Sequence, residues 1–165
     1  MRDFKIIYKI NKQTTYNRNA HYGEPLNKSI IMNDVRLIDL PKILDERGNL
    51  SFFESEKHIP FVINRTYWIY DVPGGQVRGG HAYKELYELI ISLSGSFDVV
   101  IDDGKDEKTY SLNRSYQGLL IPKLIWRKLE NFSTNALCLI ASSLPYDEED
   151  YIRDYKLFKT LVNEK

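Results

Sequence analysis

From Val35 to Ser142 the apolar residues come in short runs, broken by polar residues and cut by Gly, Pro, Asn and Asp. Short runs rich in β-forming residues and bounded by turn residues predict strands. Such stretches are Val35–Leu40, Leu50–Glu54, Asn64–Asp71, His81–Tyr83, Tyr87–Leu93, Ser96–Asp102, Lys108–Leu112, Gly118–Ile121, Ile125–Glu130 and Ala136–Ser142. Asp45–Asn49, Pro73–Gly75 and Asp102–Gly104 carry turn chemistry, and Ser94-Gly95 is expected to close a tight hairpin between its flanking strands. Many short strands punctuated in this way form a sandwich or a barrel. After Pro145 the pattern changes. The acidic run Asp147–Asp150 suits a helix start, and Tyr151, Ile152, Tyr155, Phe158 and Leu161 or Val162 recur at helical spacing. One C-terminal α-helix is expected to cap an all-β domain. Residues 1–31 are richer in Asn, Lys, Tyr and Thr, and only Phe4–Ile10 suits a short strand. We therefore divide the chain into an N-terminal extension, 1–31, with no fold assigned, and a domain over 32–165.

Composition narrows the partners. The 165 residues suffice for one domain with a real core. Lys and Arg number 23, as do Asp and Glu, so no overall field favours nucleic acid or an acidic membrane. Any anion must be held by a local cluster. Twelve Tyr and seven Phe suit a β-rich core with a polar-lipped pocket. The single cysteine, Cys138, sits in an apolar run, which excludes a disulfide within the chain. No stretch is long and apolar enough to span a membrane, and the N-terminal residues lack the pattern of a secretory signal. The expected location is the cytoplasm.

One segment carries concentrated chemistry. His81 and Tyr83 lie two apart, so in a strand they face the same way, with Arg78 just before them across Gly79-Gly80. Gly75, five residues, His81-x-Tyr83, four residues, Glu88, six residues and Gly95 resemble the first motif of the cupin superfamily, with Tyr83 in place of its second His. Gly118–Pro122 resembles the start of the second motif, and its later polar position is held by Arg127. The resemblance implies a double-stranded β-helix, the cupin jelly roll. Cupin metal sites use imidazoles and a carboxylate, all electron-pair donors. Arg127 is permanently cationic and cannot serve as one. We therefore expect no metal and no cofactor. A fixed guanidinium suits an anionic or keto substrate, with His81 as acid or base. Outside this segment, His58, His21, Trp68, Trp126 and the Asp102-Asp103-Gly104 turn have simpler structural readings.

A narrower resemblance rests on Asp45-x-Arg47-Gly48, Ile59-Pro60-Phe61, Arg65-x-Tyr67, Arg78-Gly79-x-His81-Ala82-x-Lys84, Leu93-x-Gly95-Ser96, Asp102-Asp103-Gly104, Trp126, Leu139-x-Ala141-Ser142 and the run from Tyr146 to Tyr155. Over Val35 to Phe158 the chain resembles the cupin-fold dTDP-sugar 3,4-ketoisomerases. That implies isomerisation of dTDP-4-keto-6-deoxyglucose in the synthesis of deoxy-amino sugars for surface polysaccharide or glycoprotein. It also implies no metal and a homodimer with exchanged N-terminal strands. His81 then corresponds to the base that works at C3. Tyr83 stands where the family has its second His, and Glu88 where Gln is common. Positions Arg47 and Arg127 differ among family members and bear on the configuration at C4. On this reading His81 is the base, Tyr83 the proton relay, and Arg127 or Arg78 stabilises developing charge. Arg47, Arg65 and Lys84 are candidates for the diphosphate, and Tyr67 and Glu88 for further substrate contacts. Two other readings are a sugar 3,5-epimerase and a non-catalytic cupin that binds nucleotide sugars.

Overall fold

Strand periodicity survives into three dimensions. The strand β4 (Arg65–Ile69) alternates half-buried and exposed side chains along its length. The computed structural model describes residues 35–163. Within them the other elements are β1 (Arg36–Asp39), β2 (Lys42–Ile43), β3 (Leu50–Ser51), β5 (Arg78–Tyr83), β6 (Glu88–Ser94), β7 (Phe97–Asp102), β8 (Glu107–Leu112), β9 (Gln117–Ile121), β10 (Trp126–Glu130) and β11 (Leu137–Ser142). A 3-10 turn (Glu148–Asp150), β12 (Tyr151–Ile152) and α1 (Tyr155–Asn163) complete the order. The expected extension, 1–31, lies outside the described residues, and none of their helices is long and apolar enough to cross a membrane.

Two five-stranded sheets face each other, ordered β1-β9-β6-β11-β4 and β12-β5-β10-β7-β8, and β2-β3 forms a small ribbon. Between them lies a core of Ile90, Phe97, Val99, Ile101, Leu112, Leu119, Leu129, Cys138 and Ile140. The outer face of the first sheet is covered by Leu40, Ile59 and Phe61, packed on Leu89, Ile91 and Leu120. The outer face of the second carries Phe158 of α1, fully buried on Ala82 and Ile152. The all-β jelly roll with a terminal helix is thus present.

Three local expectations change. Ser94-Gly95 does not close a hairpin. β6 pairs with β9 and β11, whereas β7 pairs with β8 and β10, so the chain turns a corner from one sheet to the other. A Gly-containing turn serves either purpose, and packing decides. A Cβ at Gly95 would lie 2.9 Å from Ala136 Cα, and the backbone there has φ +65°. Leu50–Glu54 yields only two strand residues, because the chain leaves the sheet to lay Ile59 and Phe61 across the first sheet. The acidic run makes a single 3-10 turn rather than the first turn of the helix, which begins at Tyr155. Between them, Tyr151 and Ile152 are captured as strand by β5.

Candidate active site

β5 is built to aim two side chains into the barrel. Arg127 pairs with His81 and Lys128 with Gly79, which leaves Gly80 as an extra residue in the ladder. Such a bulge bends the strand and re-aims the side chains beyond it. Gly79 has φ +83°, and a Cβ there would come within 3.0 Å of the Arg127 carbonyl oxygen, so glycine is required by both conformation and space. Past the bulge, His81 and Tyr83 face inward while Ala82 faces α1. Pairing of Tyr151 with Tyr83 brings a second phenol to the same face.

The opposite sheet completes a polar end to the barrel. Ser142 of β11 pairs with Arg65 on one side and Glu88 on the other, and Tyr67 lies two residues along β4. Arg127 Nη2 meets Glu88 Oε2 at 2.7 Å, with both side chains almost fully buried. Arg127 Nη1 donates to the His81 carbonyl oxygen at 2.9 Å, and its guanidinium carbon stands 4.2 Å from the Tyr83 ring centre. The Tyr67 hydroxyl donates to Glu88 Oε1 at 2.6 Å. Burial works against the Arg127 charge, but Glu88 and the Tyr83 and Tyr67 hydroxyls outweigh it and hold the guanidinium charged. Burial, then Glu88, push both phenols well above the usual range, so both stay protonated.

His81 lies against the two phenols of this arrangement. Its ring lies 5.1 Å from that of Tyr83 and 4.8 Å from that of Tyr151. Both ring nitrogens are buried and meet no partner at hydrogen-bond geometry. Burial, and then the Arg127 charge, pull its pKa down to about 3, against an opposing effect of the Gly79 backbone. The imidazole is therefore neutral near pH 7, with a lone pair available to take a proton. Arg65 lies nearby, its guanidinium 5.0 Å from the Tyr67 ring and 5.6 Å from that of Tyr146. Its Nε and Nη2 are also buried without partners. Donors left unmatched in this way suit a planar anion.

Six of the nine site residues expected from sequence thus converge: His81, Tyr83, Arg127, Glu88, Tyr67 and Arg65. The other three stand apart from this cluster. Arg47 is exposed on the β2–β3 turn and is held by Asp45 at 2.8 Å. Arg78 is exposed at the start of β5 and lines a separate hollow of about 390 Å³ with Trp68, Tyr70 and Val77. Lys84 donates to the Glu149 carbonyl oxygen at 2.5 Å. Within the cluster, Arg127 faces Glu88 and Tyr83, so its charge is already matched by a buried carboxylate.

Sequence reasoning assigned no role to Tyr151, read there as part of a helix face. It stands among Arg153, 4.3 Å from its ring centre, Tyr146, and the Arg153–Glu148 ion pair at 2.7 Å. The signal was present, since Tyr146 to Tyr155 belongs to the resemblance, but it named no partner strand.

The family model for FdtA, described as WxcM-like, C-terminal, matches residues 33–163. The chain belongs to this family. It is 38% identical over 127 residues to the TDP-4-oxo-6-deoxy-α-D-glucose-3,4-oxoisomerase of Aneurinibacillus thermoaerophilus, covering 77% of this chain and 91% of that one. A 3,4-ketoisomerase structure from Helicobacter canadensis is 42% identical, with TM-score 0.77 and coverage of 79% and 98%. A mutant of the 3,4-ketoisomerase QdtA from Thermoanaerobacterium thermosaccharolyticum, solved with TDP-4-keto-6-deoxyglucose, is 34% identical, with TM-score 0.79 and coverage of 81% and 96%. The dTDP-4-dehydrorhamnose 3,5-epimerase of Bacillus anthracis shares the fold alone, at 19% identity and TM-score 0.64.

Proposed function

We propose that this protein is a sugar-nucleotide 3,4-ketoisomerase that moves the ketone of TDP-4-keto-6-deoxyglucose from C4 to C3. The observation that carries the reading is the neutral, partner-free His81 ring, set among two phenols at the polar end of a family barrel. The family relationship supplies the substrate class. A 4-ketone acidifies the proton on C3. His81 takes that proton, the C3–H electron pair becomes the C3–C4 double bond, and the carbonyl pair moves onto O4. The resulting enediol or enediolate collapses the other way. O3 loses its proton, the ketone forms at C3, and C4 receives a proton.

This chemistry has two further needs. Charge on the enediolate must be met, and the unmatched Arg65 donors are suited to that role or to the diphosphate. Arg127 acts from behind Tyr83, fixing the base and its neighbour. Arg47 and Lys84 would reach a substrate only by leaving their present partners, and Arg78 by meeting the part of it that extends outside the barrel. A proton must also pass from O3 to O4, for which the phenols beside His81 have the right chemistry, since a hydroxyl both donates and accepts. A homodimer exchanging N-terminal strands belongs to the same reading and would draw those strands from outside the described residues. So do a cytoplasmic location and a place before an amino transfer onto the new ketone, in the synthesis of surface-glycan sugars.

The test is proton NMR of the purified protein with TDP-4-keto-6-deoxyglucose in deuterated water. The expected product is a 3-ketone with deuterium at C4, and the same reaction in ordinary water keeps H4, whose coupling to H5 gives the C4 configuration. Deuterium at C5 would select the epimerase. Binding without exchange or turnover would select the non-catalytic cupin.

A further inference from the structure

We propose that Tyr151, and not Tyr83, carries the proton between the two vicinal oxygens of the keto sugar, with Tyr83 as its positioning residue. The inference rests on the ketoisomerase reading above. Four observations support it. The Tyr83 hydroxyl stands 3.1 Å from the Tyr151 hydroxyl. Tyr83 is only 4% exposed and lies under the Arg127 guanidinium, whereas Tyr151 is half-buried on the side of the cluster that holds Arg65, Arg153 and Tyr146. The Tyr151 ring approaches the His81 ring more closely, at 4.8 Å against 5.1 Å for Tyr83.

The fourth observation is the way Tyr151 is held. Its strand pairs with β5 directly beside Tyr83. The preceding Asp150 carboxylate accepts the backbone N–H groups of Glu85 at 2.8 Å and Leu86 at 3.2 Å, and its carbonyl accepts that of Lys84 at 2.9 Å. Lys84 Nζ closes the clamp on the Glu149 carbonyl. A group that must exchange protons at fixed distances needs such a supporting shell. The contacts made by Lys84, Glu85 and Asp150 explain why a two-residue strand persists between a 3-10 turn and a helix.

The step balances without a redox partner. As the O3–H bond breaks, its proton passes to the Tyr151 oxygen, and the proton already on Tyr151 passes to O4. The phenol gains one proton, loses one and stays neutral. Burial and Glu88 hold the neighbouring Tyr83 protonated, so it does not take the proton that Tyr151 gives up. Tyr83, donating to the Tyr151 oxygen, turns the Tyr151 proton away from itself and toward the cavity.

The experiment compares the parent with Tyr151→Phe and Tyr83→Phe, each as the full chain, in deuterated water with TDP-4-keto-6-deoxyglucose. Two rates are read: deuterium entry at C3 of recovered substrate, which reports His81, and appearance of the 3-ketone. Tyr151→Phe keeps the ring and its packing. It is expected to lower isomerisation by about 10²-fold while C3 exchange stays within about tenfold, the range for removing one proton-transfer group. Tyr83→Phe is expected to lower isomerisation less, by about tenfold, with the same preference for isomerisation over exchange. The relay is overturned if Tyr151→Phe isomerises like the parent, if exchange and isomerisation fall together, or if Tyr83→Phe is the more damaging change. A parent that neither exchanges nor isomerises this sugar overturns the ketoisomerase reading and the relay with it. A parent that isomerises beside an unchanged Tyr151→Phe overturns the relay alone.

Discussion

The buried Arg127 guanidinium donates to the main-chain carbonyl of His81 at 2.9 Å. The cation at the second-motif position therefore clamps the main chain at His81. It grips the backbone of β5 from β10, while its other arm is held by Glu88 at 2.7 Å. Its charge also disfavours a second cation beside it, which helps to keep the imidazole neutral.

The His81→Asn variant is the direct test of the base. It is expected to fold as the parent does and to bind TDP equally well, while turnover and C3 exchange both fall by about 10²–10⁴-fold. Isothermal titration with TDP and NMR of the exchange reaction check the two halves. Retained turnover in a folded protein would remove His81 from the role.

Proton uptake by His81 sets a stability window. Its pKa is about 3 when folded and 6.5 when unfolded, so between these values the unfolded chain binds more protons. Stability from this group is full above pH 6.5 and is lost as pH falls from about 6.5 toward about 3. Denaturant titrations of the parent should therefore show falling stability over that range, and His81→Asn should flatten it. In activity, the acid limb of kcat/KM should lie well below pH 6.5. An acid limb at the ordinary imidazole value would contradict the burial.

Removing Glu88 tests the clamp. Glu88→Ala leaves the Arg127 charge buried without a partner and frees the Tyr67 hydroxyl. The expected cost is about 3–5 kcal/mol in denaturant unfolding. Glu88→Gln, which keeps the shape and one acceptor oxygen, should cost less. Equal effects of the two would mean that the charge and the acceptors of Glu88 are unimportant.

Asp150 links folding to the second phenol. Asp150→Ala removes the acceptor for two backbone N–H groups in the β5–β6 turn and loosens β12. The expected loss is about 1–3 kcal/mol, with isomerisation falling further than the loss of folded protein explains. Activity per folded molecule, from turnover and a tryptophan-fluorescence melt, checks this. Unchanged specific activity would show that β12 does not need this anchor.

Local rules determined much of this protein from sequence alone. Runs of β-forming residues bounded by turn signals located the long strands of the described residues. Side-chain alternation along a strand set His81 and Tyr83 on one face, whereas the bulge that aims them came only from the pairing of β5 with β10. The resemblance then gave the family, and six of the nine expected site residues meet in one cluster. The rest depended on contacts between residues far apart in the chain. A Ser-Gly turn suits a hairpin or a corner, and the separate pairing of β6 with β9 and β11 and of β7 with β8 and β10 made it a corner. An acidic run leading into apolar residues suits a helix, and only the edge of β5 turned Tyr151 and Ile152 into strand. The sequence placed Arg127 at the second-motif position, and only the folded barrel set Glu88 opposite it as a buried partner. Each of these choices is made by a long-range partner whose free energy exceeds the local preference, and no local pattern names that partner.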